Sequence, residues 1–147
     1  MKIADAFKAI RRLFLDTAPV IYHVEGAAAY QPLTDFVFQR ISNGTCEAAT
    51  SPITLAECLV HPFQQRDVAL VQQFRQVLTT EAHTRYTSLD AAAESAAELR
   101  ARYNLSLTDA FQIAAALAAG CDAFLTNDLR LKRVQELAIL VLDELEI

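Results

Sequence analysis

Leu13-Phe14-Leu15-Asp16-Thr17-Ala18-Pro19 is the stretch on which the fold turns. A short apolar run that ends in an acid and meets Ala18-Pro19 reads as a strand over 12–16 feeding a helix over 18–24. Pro19 suits the first turn of that helix, where its missing N–H costs nothing. The pattern recurs at Ala123-Phe124-Leu125-Thr126-Asn127-Asp128, where a second apolar run over 122–126 leads into an acid. Two strands that each deliver a carboxylate at their ends imply a sheet with chemistry on one edge.

Working outward, helix and strand patterns alternate. Leu33, Phe36, Val37 and Phe38 place a helix over 31–41, stopped by Asn43-Gly44. A short strand over 45–50 follows, and Ser51-Pro52 opens a helix over 53–60 that carries Glu57 and stops near His61-Pro62. Asp67 caps a helix with Val68, Val71, Phe74 and Leu78 at helical spacing. Residues 85–89 read as a strand, and Asp90 as the cap of an Ala-rich helix reaching Tyr103. Thr108 is the expected N-cap of a helix to Ala119, which Gly120 ends in the left-handed conformation. The last strand is expected over 138–142. Repeated alternation of this kind implies the α/β class: one α/β/α domain with a mostly parallel central sheet of four to five strands.

The bulk composition is consistent with one compact domain. The chain has 147 residues, 53% of them hydrophobic, with only 3 Gly and 4 Pro, which excludes a disordered or linker-rich protein. A formal charge of −5 opposes non-specific nucleic-acid binding through a basic surface, but not a nucleic-acid substrate held through metal. Cys46, Cys58 and Cys121 form no Cys-x-x-Cys pair and are expected to be reduced packing residues. His23, His61 and His83 have no metal-type spacing and are expected at the surface or half-buried. No stretch approaches the roughly 20 apolar residues of a membrane span, and the N-terminus lacks a signal-peptide core. A cytoplasmic location without membrane attachment is the default expectation.

In an open α/β sheet, sites form beyond the carboxyl ends of the strands. Asp16 and Asp128 reach that edge directly. Asp109 lies in the first turn of its helix, where free N–H groups favour a carboxylate, and Glu57 lies about one turn into its own helix. Parallel topology puts the starts of such helices on the same edge, so the four acids converge. Each also has a local reading: Asp16 as a helix cap, Asp109 as a favourable first-turn charge, Glu57 as a solvated residue, Asp128 as a turn acid. Together they make an all-oxygen pocket that is costly unless a divalent cation occupies it. Two metals about 4 Å apart could then clamp the oxygens of an in-line displacement, with a metal-activated water as nucleophile.

The segments Leu15 to Tyr22, Ser51 to Glu57, Leu107 to Ala116 and Phe124 to Asp128 resemble, in order and spacing, those of PIN-domain ribonucleases, and most closely the VapC-type toxins of toxin–antitoxin pairs. The resemblance implies a PIN-like domain over 11–147 and an endoribonuclease dependent on Mg2+ or Mn2+. Asp16, Glu57, Asp109 and Asp128 match the family's catalytic and metal-binding acids. Thr17 and Thr126 match its supporting hydroxyls, and Asn127 stands where it could shape the loop of the fourth acid. The implied partners are an RNA substrate (tRNA, rRNA or mRNA), a cognate antitoxin protein and a second copy of the chain in a homodimer. The first strand begins late for the family, leaving residues 1–10 as an N-terminal extension whose Ile3, Phe7 and Ile10 spacing suggests a packed amphipathic turn. Arg11, Arg12, Arg130, Lys132 and Arg133 are the available cations for an RNA track, with a solvated surface as the competing role for most of them.

Three other functions compete. A stand-alone PIN nuclease in RNA processing would carry the same residues, and a non-catalytic PIN binding module is opposed by the presence of all four acids. A haloacid-dehalogenase-like phosphohydrolase would use Asp16 as nucleophile, but it wants a second Asp two positions on, where Ala18 stands. No Gly-rich phosphate loop ending in Lys-Ser or Lys-Thr is present.

Overall fold

The computed structural model describes residues 1–147. In chain order its elements are α1 (Ile3–Ala6), β1 (Arg12–Leu15), α2 (Thr17–Glu25), α3 (Gln31–Ser42), β2 (Glu47–Thr50), α4 (Pro52–Gln64), α5 (Val68–Thr79), β3 (Thr84–Tyr86), α6 (Ala93–Tyr103), α7 (Leu107–Ala118), β4 (Ala123–Thr126) and β5 (Ala138–Val141). Short 3-10 helices follow at Leu129–Arg133 and Leu142–Glu144. All four strand pairings are parallel, in the order β3-β2-β1-β4-β5.

Period-two alternation along the central strands builds two cores. Leu13 and Leu15 of β1, with Ala123 and Leu125 of β4, face one layer that includes Val20, Val37, Cys58, Phe74 and Leu78. Phe14 and Phe124 face the other, against Ala96, Leu99, Ala110 and Ile113 of α6 and α7. The two phenylalanines pair in register and stack with ring centroids 5.2 Å apart. Coverage on both faces explains why Leu13-Phe14-Leu15 and Ala123-Phe124-Leu125 are apolar throughout rather than alternating.

The chain runs from β1 outward to β2 and β3, then crosses back to β4 and β5. Strand order therefore reverses between β1 and β4, the switch point at whose carboxyl ends open α/β sheets bind their ligands. Residues 1–10 pack against the domain. Ile3, Phe7 and Ile10 are buried in the first core, and the Ile3 N–H donates to the Glu146 carbonyl at 2.8 Å.

Several boundaries differ from the sequence expectation, each for a local reason. Helix α4 does not stop at His61-Pro62 but continues to Gln64. Pro62 forfeits only its own bond to the turn before. Its buried ring holds the last turn, which closes through Gln65 N–H to His61 O at 3.0 Å. Helix α6 begins at Ala93 behind Ala92, not at Asp90, whose N–H instead donates to Ser88 Oγ in a turn. The N-cap of α7 is Ser106, not Thr108: Ser106 Oγ accepts the Asp109 N–H at 3.2 Å. Gly120 has φ +71 and follows α7 as expected.

Arg11 and Arg12 were candidates for an RNA track, but they lie at the start of β1, the edge opposite the acids. Both donate their N–H groups to Asp122 Oδ2, at 2.8 and 2.9 Å, while the Arg12 guanidinium bonds the Ala119 carbonyl at 2.6 Å. These donations hold the Asp122 carboxyl below the usual range, so its stabilisation is present above the ordinary Asp pKa and lost as acid protonates it. Asp122→Ala is expected to lower stability by about 1 kcal/mol at pH 7, discounted for exposure. Thermal unfolding at pH 7 and at low pH should show that difference shrinking in acid.

Candidate active site

Asp16 follows β1 in extended conformation (φ −74, ψ 170) and caps α2. Its Oδ1 accepts the Thr17 N–H at 2.8 Å, and its Oδ2 accepts the Thr126 hydroxyl at 2.7 Å. Thr126 is buried at the end of β4, and its oxygen also accepts the Asp128 N–H at 3.1 Å. One hydroxyl therefore ties the strand ends of β1 and β4 together and orients the loops behind both. Thr17 does the same on the other side, donating its hydroxyl to Glu57 Oε1 at 2.9 Å.

Asp109 lies in the first turn of α7. With Glu57 it stands near enough to Asp16 to disfavour its ionisation. Burial pushes the Asp16 carboxyl up to about 6; the Thr126 and Thr17 hydrogen bonds oppose the rise, and the charges of Asp109 and Glu57 add to it. Thr17 thus links the Asp16 and Glu57 carboxylates, and the charge of Asp109 reaches Asp16 from the first turn of α7. Asp128 is joined to them through Thr126, but its carboxylate faces Arg130, with Nη2 to Oδ2 at 2.9 Å and Nε to Oδ1 at 3.0 Å. That contact holds Asp128 below the usual carboxylate range. Asn127 clasps the same loop: its amide donates to the Tyr30 hydroxyl at 3.1 Å and its oxygen accepts the Asp143 N–H at 2.9 Å.

No basic side chain pairs with Asp16, Glu57 or Asp109 among the ion pairs of the molecule. No three His, Cys, Asp or Glu side chains are close enough, as placed, to enclose a metal ion. Magnesium needs no such cage: it takes about one or two carboxylates and completes its shell with water and phosphate oxygens. A largely buried carboxyl that ionises with difficulty, within reach of the charges of two more carboxylates and in no ion pair, fits a hard divalent cation. The donor set is all oxygen, which suits Mg2+ or Mn2+ and not zinc.

Other polar groups do not join this edge. A cleft of about 420 Å³ is lined by His23, Asp35, Phe38 and Val77 among others, and by none of the four acids. Burial pushes the thiols up to about 11 for Cys46 and about 12 for Cys58 and Cys121, so all three are packing groups and not nucleophiles. Lys132 pairs with Glu144 at 2.6 Å, and Arg133 donates to the Asn104 carbonyl at 3.2 Å.

Sequence reading missed three buried residues behind the site. Gln112 of α7 accepts the Ser51 hydroxyl and donates Nε2 to Thr54 Oγ1 at 2.7 Å; Thr54 in turn donates to the Leu15 carbonyl at 3.2 Å. The available signal was Gln112 itself, a polar residue within the otherwise apolar run of α7 after Asp109.

The fold is an all-parallel five-stranded α/β sheet whose strand order reverses between β1 and β4, with Asp16 and Asp128 following those two strands. The sequence over residues 13–137 matches the PIN domain, and the chain belongs to the PIN-domain family. No curated protein matches the sequence. Among solved structures, VapBC2 from Rickettsia felis, bound to a promoter DNA fragment, shares 16% identity at TM-score 0.69, covering 87% of this chain and 96% of that one. A toxin–antitoxin complex from Klebsiella pneumoniae shares 18% at TM-score 0.67, covering 88% and 97%. VapC20 of Mycobacterium tuberculosis, a sarcin-ricin loop cleaving toxin, shares 16% at TM-score 0.62, covering 76% and 86%. At these identities the likeness shows the fold. No helix of the chain is long and apolar enough to cross a membrane.

Proposed function

We propose that the chain is an endoribonuclease dependent on Mg2+ or Mn2+, acting as the toxin of a VapBC-type pair in the cytoplasm. The observation that carries this reading is the set of Asp16, Glu57 and Asp109 about the β1/β4 switch point, none of them in an ion pair with a basic side chain. Asp16, Glu57 and Asp109 would hold the cation, with Asp128 joining once its contact with Arg130 loosens. The bound cation would neutralise phosphate charge and lower the pKa of water at the site.

The chain's own residues do the rest. Thr126 and Thr17 fix the carboxylate oxygens of Asp16 and Glu57, so little reorganisation is needed as charge builds on the phosphate. Arg130, exposed and bonded to Asp128, would meet a phosphate of the bound strand once that contact loosens. The toxin–antitoxin complexes among the structural neighbours support an antitoxin partner, and a homodimer of the chain is part of the same proposal. The sarcin-ricin loop cleaving neighbour supports RNA over DNA.

The test is cleavage of labelled tRNA, rRNA fragments and matched DNA by the purified chain in Mn2+ and in EDTA. Metal-dependent cuts in RNA are expected, reduced roughly 100-fold or more by Asp109→Asn. Cleavage that persists in EDTA, or that survives the Asp109 substitution undiminished, would overturn the reading.

A further inference from the structure

Two members of the buried Ser51–Gln112–Thr54 network stand one helical turn from an acid. Gln112 lies three residues after Asp109 on α7, and Thr54 lies three before Glu57 on α4, so each shares a helix face with its acid. Leu15, whose carbonyl accepts the Thr54 hydroxyl, directly precedes Asp16. Ser51 caps α4, accepting the Ile53 N–H at 3.2 Å. All three side chains are at most 1% exposed. The two helices and the central strand therefore meet in one buried hydrogen-bonded junction on the segments that carry the carboxylates.

A leucine would fill the Gln112 position within that apolar helix without burying an amide. What the amide adds is direction: its oxygen takes a hydroxyl hydrogen and its nitrogen gives one, so α7 has a single register against α4. We propose that Gln112 is a positioning residue for the carboxylate cluster. Through Ser51 and Thr54 it sets the spacing of Asp109 and Glu57 about Asp16, and hence the affinity of the site for a divalent cation. The proposal rests on the metal-dependent reading above, and Gln112 itself touches neither cation nor RNA.

Mn2+ binding to the metal-free chain, followed by calorimetry alongside thermal unfolding in EDTA, tests it. Gln112→Leu and Thr54→Val are each expected to weaken Mn2+ binding about tenfold or more, as loss of a partner behind a ligand does elsewhere. Thr54→Ser, which keeps the hydroxyl, should stay within about twofold of the native affinity. The double variant should weaken binding no further than either single, because the three links act as one unit. It should also regain metal-free stability over Thr54→Val alone, since the Gln112 amide no longer lacks an acceptor, while the Ser51 hydroxyl is without its partner in the double variant as in Gln112→Leu. Affinity that stays low while stability returns separates positioning from support of the fold.

Folded variants with native Mn2+ affinity, or affinity that recovers in step with stability, would overturn the proposal. If Gln112→Leu does not fold, the contrast between Thr54→Val and Thr54→Ser decides it. Absence of Mn2+ binding by the native chain defeats the metal reading and this inference together. Native binding that Asp16→Asn removes but the Gln112 and Thr54 variants retain defeats this inference alone.

Discussion

Asp16→Asn is expected to remove Mn2+-dependent RNA cleavage and, in the same molecule, to raise the stability of the metal-free chain at pH 7.5. The first effect follows from the proposed role of Asp16 as a cation ligand and should exceed about 100-fold. The second follows from its surroundings. Burial, Asp109 and Glu57 lift the Asp16 carboxyl to about 6, against an ordinary Asp value of 3.8. The folded chain therefore binds a proton more tightly than the unfolded one, and stability falls as pH rises from about 4 to beyond 6. At pH 7.5 the full cost of the ionised group is present, on the order of 2–3 kcal/mol before screening by solvent.

An asparagine removes the charge and keeps an oxygen for the Thr17 N–H. Its NH2 then faces the Thr126 hydroxyl, which must accept where it formerly donated, and that recovers less than the whole cost. A net gain of about 1 kcal/mol, or roughly 2–4 °C in melting temperature, is the expected result. Unfolding in EDTA between pH 4 and 8 should show a falling stability for the native chain and a flatter line for the variant. A variant less stable than native at pH 7.5 would show that Asp16 serves the fold more than the site.

That tension between fold and site was partly visible in the residues alone. Asp16 and Asp128 could be placed on one edge because each comes directly after an apolar strand, and strand direction then fixes the edge. Asp109 and Glu57 followed from the same topology, since their helices start where strands end. The same logic, applied fully, would have removed Arg11 and Arg12 from the RNA track: residues that precede β1 must lie at the opposite edge, where both bind Asp122.

What stayed hidden depends on contacts between residues far apart in sequence or on fine turn geometry. Gln112 meets Ser51 and Thr54 across 61 and 58 positions, and no periodicity reports such a pairing. Ser106 and Thr108 are both favourable cap residues, Ser the better, and the backbone geometry (φ −62, ψ 157 at Ser106) selects the first. Asp128 looked equivalent to the other acids. The 3-10 turn behind it brings Arg130 round to its carboxylate, so the fourth acid is cation-paired where the other three are not.

Thr126→Val should move the acid side of the activity profile to higher pH and weaken cleavage at neutrality. The hydroxyl donates to Asp16 and is among the forces that hold the Asp16 carboxyl down toward 6, so its loss must raise that value further. A proton on Asp16 competes with the cation, so below its pKa the affinity for Mn2+ falls about tenfold per pH unit. Valine keeps the shape and the β propensity of β4, leaving Asp16 Oδ2 and the Asp128 N–H without their partner. Cleavage at pH 6.5 should then drop by roughly tenfold or more, and much of it should return at pH 8 or in excess Mn2+. Thr126→Ser, which keeps the hydroxyl, should hold the native profile. A Thr126→Val profile that falls equally at every pH would mean that the hydroxyl serves the geometry of the Asp128 loop and leaves the ionisation of Asp16 untouched.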